Sequence, residues 1–488
     1  MRLSERALAR LAAGVKVPAY DRRALATGIV HLGIGAFHRA HQAVYIDDIL
    51  ARGDSRWGIV GVSLRSGDTR DALAPQDGLY TLLVRGNDAP PRIIGSVREI
   101  MVAPDAPDAV LARMSDPAVA IVSLTITEKG YCHDPATGEL DENHPFIVAD
   151  LADPEHPKSA VGMLAAALAR RRRAGVAPFT VLCCDNLPSN GKVLHRILAR
   201  YAALVSPDLG AFVLNEVAAP STMVDRIVPA TTDADRAVVH ADIDAEDAWP
   251  VVTEPFSQWV VEDRFPAGRP ELEAAGVEMV ADVAPYEAMK LRMLNGAHSA
   301  LAYLGGLAGV ETVADAMATP ELPDFIAALM DDASATLKTP SEPDRKAYGH
   351  ALLARFRNAA LHHRLVQIAM DGSQKLPQRL LSAVRDRLEL GLPIERHALA
   401  VAAWMRFVTR TDDYDKPIQV NDPLAARFAA IAGSERNPES LIRALLAIRP
   451  IFGEDLPSDS RFSAPVTKAF GRLTADGSLR TAGAYARR

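Results

Sequence analysis

The sequence predicts an α/β domain built on a mostly parallel sheet, followed from about residue 285 by a mostly α-helical domain. Three observations carry that reading. Short apolar, β-branched runs alternate with helical patterns before residue 285. One such run near the start leads through a glycine turn into a helix. Beyond 285 no strand alternation is sustained. At 488 residues and 49% hydrophobic content, the chain is long enough for two or three domains and has an ordinary globular composition.

A net charge of -7 disfavours nucleic acid as the main partner. No run approaches the roughly 18 to 20 apolar residues of a membrane span, and the opening M-R-L-S-E-R-A-L-A-R-L lacks the apolar core of a secretory signal. A cytoplasmic protein is expected, without nucleic-acid or membrane partners, as a monomer or weak oligomer. Cys132, Cys183 and Cys184 are an odd set with two adjacent members, which argues against a disulfide framework. Neighbours on a strand point to opposite faces, so Cys183 and Cys184 make a poor chelating pair, and all three read as small core residues.

Taken in order, residues 28–35 read G-I-V-H-L-G-I-G, a buried strand entering a glycine turn, with a helix expected over 40–50. This Rossmann-type layout lets a dinucleotide pyrophosphate approach backbone N–H groups at a helix start. Gly33 and Gly35 match the first two glycines of the fingerprint, while His38 stands where the third is expected. A second strand at 57–64 leads into R-S-G-D, where Asp68 can bond the adenosine ribose hydroxyls and repel a ribose phosphate, favouring NAD over NADP. Further strands are expected at 118–127 and 178–184, with a helix between them at about 159–173. Its closing run, Arg170 to Arg173 before Gly175, reads as a solvated cap that complements the helix dipole.

The strands end in polar clusters, T-E-K-G-Y at 127–131 and D-N-L-P-S-N-G at 185–191, as ligand sites do at the carboxyl ends of open α/β sheets. Gly33, Gly35, Phe37, Asp68 and Glu128 form the candidate cofactor set. Asn186 either serves the site or satisfies its own turn. Residues 215–282 read as further strands and loops, and 285 onward as helices at 324–337, 347–356, 380–390, 397–409 and 438–448, with a loop at 370–379.

The most informative stretch is 287–298, E-A-M-K-L-R-M-L-N-G-A-H, read as one regular helix begun by Pro285. At about 100° per residue, Glu287, Lys290, Asn295 and His298 fall within an arc of roughly 140°. Met289, Met293, Gly296 and Ala297 lie behind them. A solvated face repeats Glu, Lys and Arg at i,i+4, whereas this stripe carries one each of four chemically capable side chains, so it is expected to line a cleft at the seam of two domains. Other chemistries find less support. His31, His38 and His41 straddle strand, turn and helix and read as packing residues, and neither His-Glu-x-x-His nor paired Cys-x-x-Cys occurs. Ser123 and Ser189 lack a nucleophile elbow.

The stretches H-L-G-I-G-A-F-H-R-A-H-Q (31–42), S-L-T-I-T-E-K-G-Y (123–131), C-D-N-L-P-S-N-G (184–191), M-V-D-R-I (223–227) and E-P-F-S-Q-W-V (254–260), with the helix at 290–298, together resemble the polyol-specific long-chain dehydrogenases. That family includes mannitol 2-dehydrogenase and fructuronate reductase. The resemblance implies an NAD-dependent enzyme without a metal, with a Rossmann-type cofactor domain over 1–284 and a helical substrate and catalytic domain over 285–488. It implies Lys290 as general acid/base, Asn186 and Asn295 as holders of the reacting oxygen, His298 as a substrate-orienting group and Glu287 as an aid to proton exchange. Asp225 and Lys375 would line the substrate end. The chain departs from the family pattern at Gln367, where an arginine is expected, and at Gly67, where the family has an acidic residue before the ribose-reading aspartate.

Lys290 can act as a base only if its pKa is brought down from about 10 by burial or a neighbouring cation. The expected substrate pair is D-mannitol and D-fructose. The alternative is a sugar acid, as for fructuronate reductase, which Q-I-A-M-D-G-S-Q-K-L-P-Q-R at 367–379 resembles; Arg379 would then offer a carboxylate a planar fork or else close its own loop by a salt bridge. A catalytically silent dinucleotide-binding sensor is the remote alternative, disfavoured because a sensor has no use for a base.

Overall fold

A computed structural model describes the chain except residues 135–136, 338–344, 410, 436 and 488. Its contacts divide it into two compact units, Met1–Ala284 and Pro285–Arg488.

In the first unit the elements run β1 (Thr27–Leu32), α1 (Ala36–Ala40), α2 (Gln42–Leu50), β2 (Gly58–Ser63), α3 (Asp68–Leu73), β3 (Tyr80–Val84), β4 (Arg92–Ile94), β5 (Val97–Val102), α4 (Pro107–Ser115) and β6 (Ile121–Leu124). They continue through α5 (Pro145–Ala152), α6 (Ala160–Arg173), β7 (Thr180–Cys183), α7 (Asn190–Val205), α8 (Pro207–Glu216), β8 (Thr222–Asp225), α9 (Asp233–Ile243), β9 (Val251–Thr253), β10 (Gln258–Glu262) and β11 (Glu278–Val280). Five strands form one parallel sheet in the order β5-β2-β1-β6-β7. The order reverses between β1 and β6, the place where open α/β sheets leave a crevice at their carboxyl edge. Two three-stranded sheets, β11-β10-β8 and β4-β3-β9, flank it in the chain.

The parallel strands are apolar throughout because both faces are covered. In β1, Val30 and Leu32 pack with Val110, Leu164 and Leu194 of α4, α6 and α7, while Ile29 joins Ile46 and Ile49 of α2 on the other side. Period-2 alternation likewise splits the adjacent cysteines, Cys183 into one core and Cys184 into the other.

Three expectations are corrected in this unit. The helix expected over 40–50 begins earlier and is broken at His41 (φ -125°, ψ -91°), where Nε2 of the ring is 2.9 Å from the Gln258 carbonyl. Residues 215–282 contain a helix, α9, started by a reciprocal Thr232 and Asp235 capping box. Of the arginines closing α6, Arg171 is buried rather than solvated, and its guanidinium donates to the carbonyls of Ala177 (2.7 Å) and Val119 (2.8 Å). There it ties the helix end to the entry of β6.

The second unit is helical around a single core that includes Tyr303, Trp404, Phe428, Phe452 and Phe462. Its helices include Leu322–Ser334, Arg345–Phe356, Glu395–Val408 and Pro438–Leu446. The loop expected at 370–379 is instead helical, as Gly372–Leu376 and the π-helical turn Pro377–Leu381. Tertiary contacts override its turn-forming residues: the Ser373 N–H and hydroxyl donate to Asp422 (2.8 and 2.6 Å), and Gly372 lies so close to Trp404 that a methyl group would come within 2.6 Å of the indole nitrogen. Among the described residues no helix is long and apolar enough to cross a membrane.

Candidate active-site residues

The glycine turn after β1 is built for close backbone approach. Gly33 has φ 93°, and a methyl group there would meet the Thr125 carbonyl oxygen at 2.1 Å, so only glycine fits. Gly35 is exposed, and a methyl group there would have only the Gly33 oxygen within 4 Å, at 3.8 Å. The front of the turn is therefore open to a phosphate-bearing group. His38, in the place of the third glycine, is buried with its ring stacked on His31 at 3.4 Å, so imidazole stacking supplies the helix-to-strand contact at this point. His31 is held by Ser123 Oγ and Thr125 Oγ1, each at 2.8 Å, and burial pushes its pKa down to about 3, leaving it neutral. Phe37, half-buried, stacks on His41 at 5.1 Å. Asp68 is exposed at the start of α3, just after β2, and accepts a hydrogen bond from the Ser66 hydroxyl at 2.9 Å.

The ends of β6 and β7 are joined by Asp185. Its carboxylate accepts from the Ile126 N–H (2.7 Å), the Thr127 N–H (3.2 Å) and the Tyr131 hydroxyl (2.6 Å). Burial raises this carboxyl above its ordinary range, and the three donors oppose that rise. The clamp holds Thr127 at φ 65° and so presents exposed Glu128 at the carboxyl edge, while Asn186, also exposed, follows Asp185 directly. The Asn190 amide then links the Asp185 carbonyl (3.1 Å) to that of Thr222 (2.9 Å), which brings in β8. Asp225, buried, ends that strand opposite Gln258. Gly33, Gly35, Glu128 and Asn186 thus share one edge of the parallel sheet. A surface groove of about 260 Å³ lined by Arg170, Arg172, Tyr201 and Leu209 holds none of these candidates.

In the second unit the expected regular helix over 287–298 is corrected. It comprises α10 (Ala284–Met289), a π-helical turn (Lys290–Asn295) and α11 (Gly296–Leu307). The Gly296 N–H donates to the carbonyl of Leu291, five residues back. In an α-helix Lys290 and Asn295 would stand about 140° apart; when hydrogen bonds span five residues, residue i+5 falls on the same face as residue i. The turn therefore brings the candidate base and its amide toward one face. Lys290 is buried, Asn295 and Glu287 are half-buried, and Met289, Met293 and Ala297 enter the core behind them.

His298 is buried against Phe356 (ring centroids 4.4 Å) and edge-on to His363 (5.4 Å). Burial, followed by His363, Arg355 and Arg379, pushes its pKa well below the usual imidazole range, so it is neutral. Lys375 Nζ donates to the Ile368 carbonyl at 3.4 Å, Arg379 Nη1 donates to Ser299 Oγ at 3.2 Å, and Gln367 is exposed. Asp185, Arg355, His363 and the π-turn escaped the sequence reading. Only Asp185 carried a usable signal, a carboxylate placed between a strand end and Asn186.

Residues 27–274 match the mannitol dehydrogenase Rossmann domain, and residues 282–474 the mannitol dehydrogenase C-terminal domain. The chain is 45% identical to D-mannonate oxidoreductase of Escherichia coli (strain K12), covering 93% of this chain and 95% of that one. It is 40% identical to mannitol 2-dehydrogenase of Aspergillus fumigatus, covering 99% of each. The solved structure of Pseudomonas fluorescens mannitol 2-dehydrogenase, a ternary complex with NAD and D-mannitol, matches with a TM-score of 0.89 at 39% identity and covers 100% of both chains. The chain belongs to the mannitol dehydrogenase family.

Proposed function

We propose that the chain is an NAD-dependent oxidoreductase that interconverts a sugar alcohol and its ketose, D-mannitol and D-fructose being the favoured pair. The observation that carries this reading is the buried Lys290 at the start of a π-turn that ends with Asn295, in a chain whose other unit has an open glycine turn at the carboxyl edge of a parallel sheet. The turn suits NAD because Gly35 leaves backbone exposed for a pyrophosphate and Asp68 stands free of bulk after β2 to accept from ribose hydroxyls. NAD supplies a hydride acceptor. Lys290, in its neutral form, takes the hydroxyl proton during oxidation and returns it to the oxygen during reduction. The amides of Asn186 and Asn295 donate to the oxygen as it gains charge, each worth about 3 kcal/mol. His298, held neutral, orients a substrate hydroxyl, Glu287 exchanges the Lys290 proton with solvent, and Asp225 and Lys375 hold the distal hydroxyls.

A second reading, oxidation of a hexonate to its keto acid, is favoured by the higher identity to the protein named D-mannonate oxidoreductase and by Arg379 bonded to Ser299, next to His298. The test follows NADH consumption with fructose and with fructuronate, for the wild type and for Lys290→Ala. The proposal expects higher kcat/KM on fructose and a loss of roughly 10²- to 10⁴-fold in turnover for the variant. A tenfold preference for fructuronate establishes the second reading, and unchanged turnover in Lys290→Ala removes the lysine assignment.

A further inference from the structure

We infer that Gly296 is a positioning residue: it lets two π-helical turns close on each other and thereby holds Lys290 and Asn295 in register. The inference rests on the assignment of Lys290 as acid/base. The first turn, Lys290–Asn295, ends at Gly296; the second, Pro377–Leu381, carries Arg379 and follows directly on the helix Gly372–Leu376 that holds Lys375. In the second turn too the hydrogen bond spans five residues, from the Ser382 N–H to the Pro377 carbonyl.

Wide turns of this kind are rare, and they last where surrounding structure holds them. Here the hold is visible. At Gly296 the backbones come so close that a methyl group would stand 2.9 Å from the Arg379 carbonyl oxygen, a main-chain atom that cannot swing aside. Gly296 has ordinary helical angles (φ -62°, ψ -49°), so the demand for glycine comes from the neighbouring turn and not from its own conformation. Arg379 Nη1 reaches Ser299 on the next turn of α11, and Arg292 anchors the far side of the first π-turn through Thr336 Oγ1 (2.6 Å) and Asp386 (2.5 Å). Met293 and Leu294 fix the rest in the core.

The consequence is geometric. A turn that relaxed to α-helix would rotate Asn295 away from Lys290 toward the roughly 140° that separates i and i+5 there, and would part the amide from the base. The same contact sets Lys375 and Arg379, on the second turn and the helix before it, in register with the first.

The test is Gly296→Ala in the full chain, beside Gly305→Ala as a control on the same helix. At Gly305 a methyl group would clash only with the end of the Leu365 side chain, at 2.7 Å, which can rotate away, Ala316 and Val310 lying at ordinary contact distance. Gly296→Ala is expected to lower kcat by about 10- to 100-fold, the scale of an ångström-sized misplacement. NADH affinity, measured by fluorescence titration, should stay within about twofold, and the pH at which kcat half-rises should move because the surroundings of Lys290 change. Gly305→Ala, whose clash a side-chain rotation relieves, should lose less melting temperature and keep its kcat. Ser299→Ala, which removes the Arg379 hydrogen bond and adds no bulk, should lower kcat by about threefold to tenfold with only a modest loss of melting temperature, and it serves if Gly296→Ala does not fold.

Wild-type kcat in Gly296→Ala, or in Ser299→Ala where that variant stands in, overturns the inference. So does an equal kcat loss in Gly305→Ala. Lys290→Ala run in parallel separates the failures: if it is inactive while Gly296→Ala is fully active, only the positioning role is wrong. If Lys290→Ala is fully active, the acid/base assignment fails and this inference with it.

Discussion

Acidification should destabilise the first unit through His31. The ring is 0% exposed, its nitrogens face Ser123, Thr125 and the Gly33 carbonyl, and its pKa in the folded protein is about 3. In the unfolded chain a histidine titrates near 6.5. The folded value is the lower one, so as pH falls below about 6.5 the unfolded chain takes up a proton that the native protein refuses, and stability drops until the pH reaches about 3. At about 1.36 kcal/mol per pH unit, the fall from about pH 6.5 to pH 5 costs about 2 kcal/mol at this one site. Urea unfolding of the wild type and of His31→Gln, between about pH 7.5 and pH 5, isolates the contribution, because glutamine stays neutral throughout. Every other titrating group occurs in both proteins, and His38, whose pKa is depressed first by burial, remains so in the variant. The stability advantage of the wild type should shrink by about 2 kcal/mol across that range. A difference that is flat with pH refutes the reasoning. The site also has a functional side, since His31 props the turn that leaves Gly35 open, and acid weakens that prop.

Two further outcomes follow from the carboxyl edge of the sheet. Asp68→Ala should raise the kcat/KM ratio for NADP over NAD by roughly fivefold, the about 1 kcal/mol of one solvent-exposed charge pair at about 4 Å; kinetics with both cofactors checks it, and an unmoved ratio removes Asp68 as the ribose reader. Asp185→Asn keeps the shape of the clamp but offers one acceptor oxygen to donors that now share two, so it should cost about 1 to 3 kcal/mol in urea unfolding and lower turnover as Glu128 and Asn186 lose their common anchor.

The parallel sheet was legible because its signals are local and repeat every second residue: β1 and β7 are short apolar runs whose neighbours diverge into two cores, as Cys183 and Cys184 do. Arg171 was misread because a basic run before a glycine has the pattern of a cap whether or not one member turns inward to reach the carbonyls of Val119 and Ala177. Residues 370–379 show tertiary contact winning over turn chemistry. Asp371, Gly372 and Pro377 each favour a loop, yet Asp422 and Trp404 hold the segment helical. The π-turn at Lys290–Asn295 is the deepest case. A periodicity argument assigns every residue the same 100° step and so assumes the regular helix that this segment abandons. Side-chain types alone could single out Glu287, Lys290, Asn295 and His298. The arc joining them depends on Gly296, and the reason for Gly296 lies about eighty residues away in the chain, in the carbonyl of Arg379. No window of sequence short enough to show a helix is long enough to include that contact.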